Sequence, residues 1–128
     1  MTAQFHIHGT LPHLNKVIAD VKQHWSLYSN TKRHATDKVC LLARSTWRSR
    51  PPIEHPVVVT FTWHLVPKKK NRAMDPDNVS HGQKYILDGL VKAGVLVDDS
   101  PAQVLALHHE FHYDTKDPYV TVTLKEAG

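Results

Sequence analysis

The start of the chain changes from the two-residue period of a strand to the longer period of a helix. Phe5 and Ile7 alternate with histidines and so predict a short first strand. Further along, apolar residues recur three and four positions apart, which is the spacing of one face of an amphipathic helix. This stripe consists of Leu14, Val17, Ile18, Val21, Trp25 and Tyr28. The pattern therefore predicts a helix that buries the stripe.

A second helical stripe follows a short polar interval. Residues 29–31, which read Ser-Asn-Thr, are the expected break between the two helices. Residues 35–47 then carry apolar side chains at helical spacing until Pro51 stops the pattern. The apolar stripes of the chain include three tryptophans, Trp25, Trp47 and Trp63. We expect all three in the core rather than stacked on a ligand.

The second half of the chain predicts three more strands and one more helix. In residues 57–65 one face would carry Val57, Val59, Phe61, Trp63 and Leu65 and the other Val58, Thr60, Thr62 and His64, as in a half-buried strand. A helix is expected from the corner at Pro76 to Gly94, because proline suits a first helical turn and glycine a left-handed cap. Residues 105–113 and 120–124 alternate again and predict two strands joined by a turn.

These elements predict a single α+β domain that covers residues 1–128. A chain of this length suits one compact core. We expect about four strands in a mixed or antiparallel sheet, with the helices packed on one face. The apolar runs are much shorter than the ~20 residues of a membrane span, and the first residues do not form a signal sequence. A soluble cytoplasmic protein without a membrane partner is therefore expected.

Positive charge is concentrated directly before an acidic segment. The chain has 16 Lys and Arg against 12 Asp and Glu, a net charge of +4, which favours a polyanionic partner. The basic cluster consists of Lys68, Lys69, Lys70 and Arg72. Its position upstream of Asp75 favours contact with DNA phosphates, which would make binding weaken steeply with salt. A solvated loop without DNA contacts is the alternative.

The candidate chemistry consists of two pairs of aspartates, Asp75 with Asp77 and Asp98 with Asp99. The first pair opens the predicted helix and the second pair follows its end. Lys84 lies on the same side of that helix as Asp77, since at 100° per residue the two are only about 20° apart. If the two pairs meet, their mutual repulsion favours a bound cation, and Mg²⁺ prefers such oxygen ligands. The alternative is that the aspartates serve only as helix caps and loop residues.

The segment from Asp75 to Asp99 resembles the signature of the RusA family of Holliday junction resolvases, the crossover junction endodeoxyribonucleases. The shared features are an Asp-Pro-Asp-Asn corner, a helix carrying Lys84 and Asp-Gly-Leu, an Ala-Gly turn and a closing Asp-Asp. Outside this segment the resemblance is looser and rests on a first strand, a helical region and a strand that leads into the basic cluster.

The resemblance implies a RusA-like fold and a homodimeric, Mg²⁺-dependent endonuclease of DNA recombination and repair, with Mn²⁺ as an alternative metal. Such an enzyme nicks four-way DNA junctions in symmetric pairs, and a bacterial or phage origin is implied. By the same resemblance Asp75, Asp77 and Asp99 are catalytic metal ligands, Asp98 is a neighbouring ligand, and Lys84 is the catalytic lysine. Two alternatives stay open: a noncatalytic protein that binds branched DNA, and a nuclease with a broader choice of branched structures.

Histidine is abundant, with 11 residues, and raises the question of a second metal site. His108, Glu110 and His112 share one face of a predicted strand, so a zinc site is one interpretation. A solvated or DNA-facing surface is the interpretation we favour. The corresponding polar positions of the other strands include His6, His8, Thr60, Thr62 and His64. Protonation of such a surface would raise DNA affinity below about pH 6.5.

Overall fold

The computed structural model describes residues 2–67 and 75–127. Four strands and four helices follow one another along this part of the chain. In chain order they are β1 (Thr2–His8), α1 (Leu14–Gln23), α2 (Trp25–Trp47), β2 (Val57–His64), α3 (Pro76–Ser80), α4 (Gln83–Lys92), β3 (Val104–His112) and β4 (Tyr119–Glu126). In the described part of the chain no helix combines the length and the apolar character needed to cross a membrane.

The four strands form one mixed sheet in the order β1-β4-β2-β3. β2 pairs parallel with β3, while β4 runs antiparallel to both β2 and β1. β1, β2 and β3 therefore point the same way. We call the edge where they finish, at His8, His64 and His112, the carboxyl end of the sheet, and the edge where β2 and β3 begin the amino end. A parallel pair needs a crossover connection, and α3 and α4 form it between β2 and β3.

The helices cover one face of this sheet, so the expected architecture is confirmed. Alternate residues of β2 and β4 face the helices and are buried. The central ones are Val57, Val59, Phe61, Trp63, Val120, Val122 and Leu124. α2 and α4 pack closely over them because residue 89 is glycine. A Cβ added at Gly89 would lie 2.5 Å from Cγ1 of Val39.

The first helical region divides at His24, not at residues 29–31, so the expected break was wrong. α1 ends at Gln23 and α2 begins at Trp25 and continues through the polar interval. The backbone of His24 is extended, and its Nδ1 accepts a hydrogen bond from the backbone N–H of Ser26, 3.2 Å away. The His24 side chain therefore caps the start of α2. Ser, Asn and Thr disfavour a helix only slightly, so packing can keep residues 29–31 helical.

Trp25 is the second correction, because 69% of its surface is exposed. α1 turns Val17 and Asp20 toward the protein, while the rest of its predicted stripe remains partly or largely in solvent. Asp20 accepts hydrogen bonds from Lys16 Nζ at 2.8 Å and Thr31 Oγ1 at 2.9 Å. These two bonds, that from Lys16 first, hold the pKa of Asp20 below its usual value. The bond from Thr31 connects α2 to α1, whereas Trp47 and Trp63 are buried as expected.

The crossover helix expected from Pro76 to Gly94 is divided in two. A turn at His81 and Gly82 separates α3 from α4. At Gly82 a Cβ would lie 2.9 Å from Cη2 of Trp63, so the chain passes close to the indole there. Gly94 does adopt the left-handed conformation expected of a cap, with φ +78°. Close contact with β2 therefore coincides with the interruption of the helix.

Candidate functional site

Asp75 and Asp77 lie near the carboxyl end of the sheet, where α3 begins. The carbonyl of Asp75 accepts hydrogen bonds from the backbone N–H groups of Asn78 and Val79, at 3.0 and 3.2 Å. Val79 is buried in the core and lines a pocket together with Trp63 and residues that follow β2. This contact holds the start of α3 beside the end of β2. Both carboxylates are exposed.

The capping alternative can be compared directly with the geometry of α3. Asp75 occupies the N-cap position and Pro76 the first turn, as the sequence predicted. Within the described residues, however, the Asp75 side chain makes no capping hydrogen bond. α3 is instead connected to α1, because the Asn78 side chain accepts a hydrogen bond from the backbone N–H of Asn15 at 3.1 Å. The carboxylate of Asp75 is thus available for another partner.

Asp98 and Asp99 lie at the opposite, amino end of the sheet. The backbone N–H of Asp98 donates to Oε1 of Gln103 at 2.8 Å, and that of Asp99 donates to Oδ1 of Asp98 at 2.8 Å. Hydrogen bonds from the Ser100 side chain, and then from Asp99, lower the pKa of Asp98 below its ordinary value. Asp98 therefore remains a carboxylate well into the acidic range.

Gln103, which the sequence reasoning missed, organises this loop. Gln103 is buried. Besides accepting from Asp98, its side-chain amide donates to the backbone carbonyl of Ile53, and its backbone carbonyl accepts from the backbone N–H of Val57 at 2.7 Å. One amide side chain thus connects the second acid pair to the residues that lead into β2. A single glutamine before a strand carries no periodic signal, so only its contacts identify this role.

The two acid pairs do not meet within the chain. β2 connects the two ends of the sheet and has 8 residues, so it spans roughly 25 Å at about 3.3 Å per residue. In agreement, residues 2–67 and 75–127 contain no group of three His, Cys, Asp or Glu side chains that could hold a metal ion. This applies to the aspartates and equally to His108, Glu110 and His112. The catalytic and metal-binding roles of the aspartates stay predictions.

Lys84 belongs with the first acid pair. It lies in the first turn of α4, is exposed, and its backbone N–H donates to the carbonyl of His81 at 3.3 Å. Burial, followed by the positive charge of Lys84, lowers the pKa of His81. The Lys84 ammonium group is therefore close enough to influence the end of α3, the helix that begins with Asp75 and Asp77.

A chain of three polar side chains connects α4 to the sheet, and the sequence reasoning did not find it. The Trp63 indole N–H donates to Nδ1 of His109 at 2.9 Å. Since the indole can only donate, Nε2 of His109 carries the proton and donates to Oε1 of Gln83 at 2.8 Å. Burial first, and the neighbouring His108 second, lower the pKa of His109, which agrees with a neutral ring. Gln83 directly precedes Lys84, so this chain anchors the turn of α4 from which the candidate lysine extends.

The predicted DNA-binding residues Lys68, Lys69, Lys70 and Arg72 lie outside the described residues. Their contact with DNA phosphates stays a prediction. The described residues on either side of this interval are Pro67, which follows β2, and Asp75, which precedes α3.

Comparison with known proteins agrees with the resemblance seen in the sequence. The profile of the family described as Endodeoxyribonuclease RusA matches residues 10–125. A search among curated proteins finds no match. The matched range contains α1 to α4, β2, β3, all but the last residue of β4, both acid pairs and Lys84. A match over nearly the whole chain, on a mixed sheet with the helices on one face, shows that the protein belongs to the RusA family of endodeoxyribonucleases.

Proposed function

We propose that the protein is a homodimeric endonuclease that resolves four-way DNA junctions by paired, symmetric nicks during recombination and repair. The observation that carries this proposal is the family membership of a chain whose signature aspartates are exposed. Asp75, Asp77, Asp98 and Asp99 all present their side chains to solvent. Exposed carboxylates are accessible to a DNA substrate, although Asp98 also accepts hydrogen bonds within its own loop.

The separation of the acid pairs supports a dimer. In a two-fold symmetric dimer every contact occurs twice: if one residue of the first chain contacts another residue of the second chain, the same two residues also meet with the chains exchanged. Two antiparallel subunits can therefore bring the Asp75–Asp77 pair of each chain next to the Asp98–Asp99 pair of the other. Such an arrangement forms two equal centres. A four-way junction has approximate two-fold symmetry, so two centres suit two matched nicks.

Carboxylates are suitable ligands for Mg²⁺, but within one chain only two of the four aspartates lie at each end of the sheet. Mg²⁺ prefers carboxylate and phosphate oxygens, and Mn²⁺ accepts similar ligands. We infer that Asp75 and Asp77 of one chain would hold the ion together with Asp99 of the other, with Asp98 adjacent. When bound, the ion would supply positive charge to an oxygen of the scissile phosphate.

The protein's own side chains contribute in addition to the metal. Lys84 lies at the same end as Asp75 and Asp77, so its ammonium group can balance negative charge that develops on the phosphate in the transition state. The chain from Trp63 through His109 to Gln83 holds the backbone next to Lys84. The basic cluster, which runs from Lys68 to Arg72, would bind the phosphates that lead to this centre.

Cleavage of a labelled synthetic four-way junction tests the proposal. We expect the parent protein to produce paired nicks with Mg²⁺ or Mn²⁺ and none with a chelator. The variant Asp75→Asn/Asp77→Asn is expected to lose at least about 100-fold in cleavage rate while it still binds the junction, since only the charge is removed. Asp117→Asn, an exposed carboxylate in the turn between β3 and β4, is the matched control and should cleave like the parent.

Two results would favour the alternatives. A parent protein that binds junctions but cuts none of them with either metal would be a noncatalytic branched-DNA-binding protein. A parent protein that cuts flaps or loops as fast as junctions would be a broader nuclease.

A further inference from the structure

His81 lies in the turn between α3 and α4, next to two residues of the candidate site. Its backbone is still helical, with φ −55° and ψ −28°, so Asp77 and His81 are one helical turn apart. Side chains four positions apart lie on the same side of a helix. At the other end of the turn, the backbone N–H of Lys84 donates to the carbonyl of His81 at 3.3 Å. His81 therefore lies between Asp77 and Lys84, whose side chains are both exposed.

The imidazole ring of His81 is held from the inside by Tyr85. Nε2 of His81 lies 3.3 Å from the Tyr85 hydroxyl, and the two rings meet edge to face at 77°. Tyr85 is fully buried, and among the described residues its hydroxyl hydrogen-bonds to His81 alone. Burial raises the pKa of Tyr85 to about 12, so the hydroxyl keeps its proton at neutral pH.

This hydrogen bond decides which ring nitrogen of His81 carries the proton. The Tyr85 hydroxyl must donate to Nε2, because a buried donor that is left without an acceptor is costly. Nε2 then offers its lone pair, and in a neutral imidazole the proton lies on the other nitrogen, Nδ1. A neutral ring agrees with the pKa of His81, which burial and then Lys84 lower. His81 therefore presents an uncharged N–H donor at Nδ1.

Nδ1 of His81 is accessible from solvent. Among the described residues it has no hydrogen-bond partner, the Asp77 carboxylate included. The buried side-chain nitrogen and oxygen atoms that lack a partner in the described part of the chain are Thr36 Oγ1 and Trp47 Nε1, and Nδ1 of His81 is not one of them. The two nitrogens of an imidazole point in nearly opposite directions, so Nδ1 faces away from Tyr85. A ligand can therefore reach this N–H without displacing the tyrosine.

We propose that the Nδ1–H group of His81 donates a hydrogen bond to a phosphate oxygen of the DNA substrate. A DNA phosphate presents acceptor oxygens alone, and the residues on either side of His81 are Asp77 and Lys84, which belong to the proposed centre. His81 thus binds and orients the phosphate as an uncharged donor, whereas Lys84 supplies positive charge. That this phosphate lies next to the cleaved bond rests on the proposed function, whereas the tautomer of His81 and its contact with DNA do not.

The tautomer can be measured by long-range ¹H–¹⁵N NMR of the histidine rings, in metal-free protein at about pH 8, where histidine is ordinarily neutral. We expect the proton of His81 on Nδ1. Tyr85→Phe removes the hydroxyl that fixes this form, so His81 should then show a mixture of both tautomers. Tyr28→Phe is the matched control, because Tyr28 packs against the same buried cluster as Tyr85 and should leave the Nδ1–H form unchanged. A parent protein with the His81 proton on Nε2 would overturn the inference.

The contact with DNA is tested by fluorescence anisotropy with a four-way junction. The background is Asp75→Asn/Asp77→Asn without divalent metal, so that no cleavage occurs. His81→Gln should weaken binding about tenfold, since a hydrogen bond to a charged group is lost. His81→Asn should recover most of this loss, because its amide nitrogen is three bonds from Cα, as Nδ1 is, whereas that of glutamine is four bonds away. His34→Gln and His34→Asn, at an exposed position of α2, are the matched controls and should both bind like the background protein.

One measurement needs no substitution at His81 and so does not depend on the folding of these variants. Addition of the junction to the background protein should shift the Nδ1 resonance of His81, while that of His34 stays in place. An unshifted His81 resonance would overturn the inference. Equal affinities of His81→Gln and His81→Asn would also overturn it, because the position of the donor would then not matter.

The proposed function and this inference can fail separately. If the parent protein cuts no junction with either metal, but His81→Gln loses junction affinity that His81→Asn recovers, the proposed function fails and this inference stands. If junction cleavage is normal and both His81 variants bind the junction like the background protein, the proposed function stands and this inference fails. Weaker Mg²⁺ binding in His81→Gln with unchanged DNA affinity would also overturn the inference, because His81 would then act through Asp77.

Discussion

His109 accepts one hydrogen bond from Trp63 and donates another to Gln83, and a neutral ring with its proton on Nε2 can do both. A second proton on Nδ1 would face the indole N–H, which is itself a donor. The ring also stacks on Phe61, with the centroids 4.8 Å apart. Folding therefore favours the unprotonated form, which agrees with the lowered pKa of His109 that burial causes.

The first prediction follows from this preference at the scale of one residue. The unfolded chain takes up a proton at His109 near the ordinary histidine pKa of about 6.5, and the folded protein does so only at lower pH. The stability that His109 contributes is thus complete above that pH and declines as the pH falls below it. Thermal unfolding of the parent should therefore shift to lower temperature in mild acid, and His109→Gln should show a smaller shift.

The comparison needs a control because His109 is not the only histidine with a lowered pKa. His81 has a pKa lowered by burial and by Lys84, so it acts in the same direction in both proteins. His34→Gln replaces an exposed histidine and should keep the full acid shift of the parent. If His109→Gln and the parent lost equal stability between neutral pH and mild acid, His109 would not be held neutral by its partners.

At the scale of elements, the packing of α2 on α4 depends on a missing side chain. Gly89→Ala would place a Cβ 2.5 Å from Cγ1 and 2.6 Å from Cβ of Val39, which is fully buried. We expect this variant to lose about 1–3 kcal/mol of unfolding free energy, as overpacked cores do. Urea unfolding measures the change. In combination with Val39→Ala the loss should be somewhat smaller than the sum of the two single losses, because alanine removes the 2.5 Å contact with Cγ1, although the 2.6 Å contact with Cβ remains.

Gly94 provides the control for this prediction. An added Cβ there meets no described atom within 4 Å, so Gly94→Ala tests the left-handed backbone alone, at a cost of about 1 kcal/mol. In contrast to Gly89→Ala, its effect should not change when Val39 becomes alanine. If Val39→Ala changed the loss of unfolding free energy by the same amount in Gly89→Ala and in Gly94→Ala, direct packing of α2 on α4 at Gly89 would be contradicted.

At the scale of the whole molecule, a centre shared between subunits predicts complementation between two inactive proteins. One protein carries Asp75→Asn/Asp77→Asn and the other Asp98→Asn/Asp99→Asn. A mixed dimer then has one centre with both defects and one with none. Random mixing should leave about a quarter of all centres intact, so the mixture should nick junctions although neither protein alone does.

The nicking pattern gives a further criterion. Because a mixed dimer has a single intact centre, we expect nicks in one strand only, without the paired nicks of the parent. Denaturing gels of junctions labelled on each strand distinguish the two patterns. Refolding the two proteins together ensures exchange, and mixing without exchange is the control. If co-refolded mixtures stay inactive while co-refolded parent recovers activity, the acids of one centre come from one chain.

The sequence alone determined the features that depend on local periodicity and on a contiguous signature. The two-residue alternation of residues 57–65 follows from the geometry of an extended backbone, and β2 lies there. The left-handed cap at Gly94 and the corner at Pro76 are likewise properties of one residue and its neighbours. The family could be read from the segment between Asp75 and Asp99, because its residues are close in sequence, and the profile match confirms it.

Tertiary structure decided everything that depends on contacts between distant residues. Trp25 is exposed although it continues the apolar stripe of the sequence, and α3 is separated from α4 where Gly82 meets Trp63. Gln103 reaches Ile53, 50 positions away, and so holds the second acid pair at the amino end of the sheet. The sequence gives the number of residues between the two acid pairs, but it does not show that α3 and α4 carry the chain from one end of the sheet back to the other. For that reason the sequence could name the aspartates, while only the fold revealed that the two pairs lie at opposite ends of the sheet.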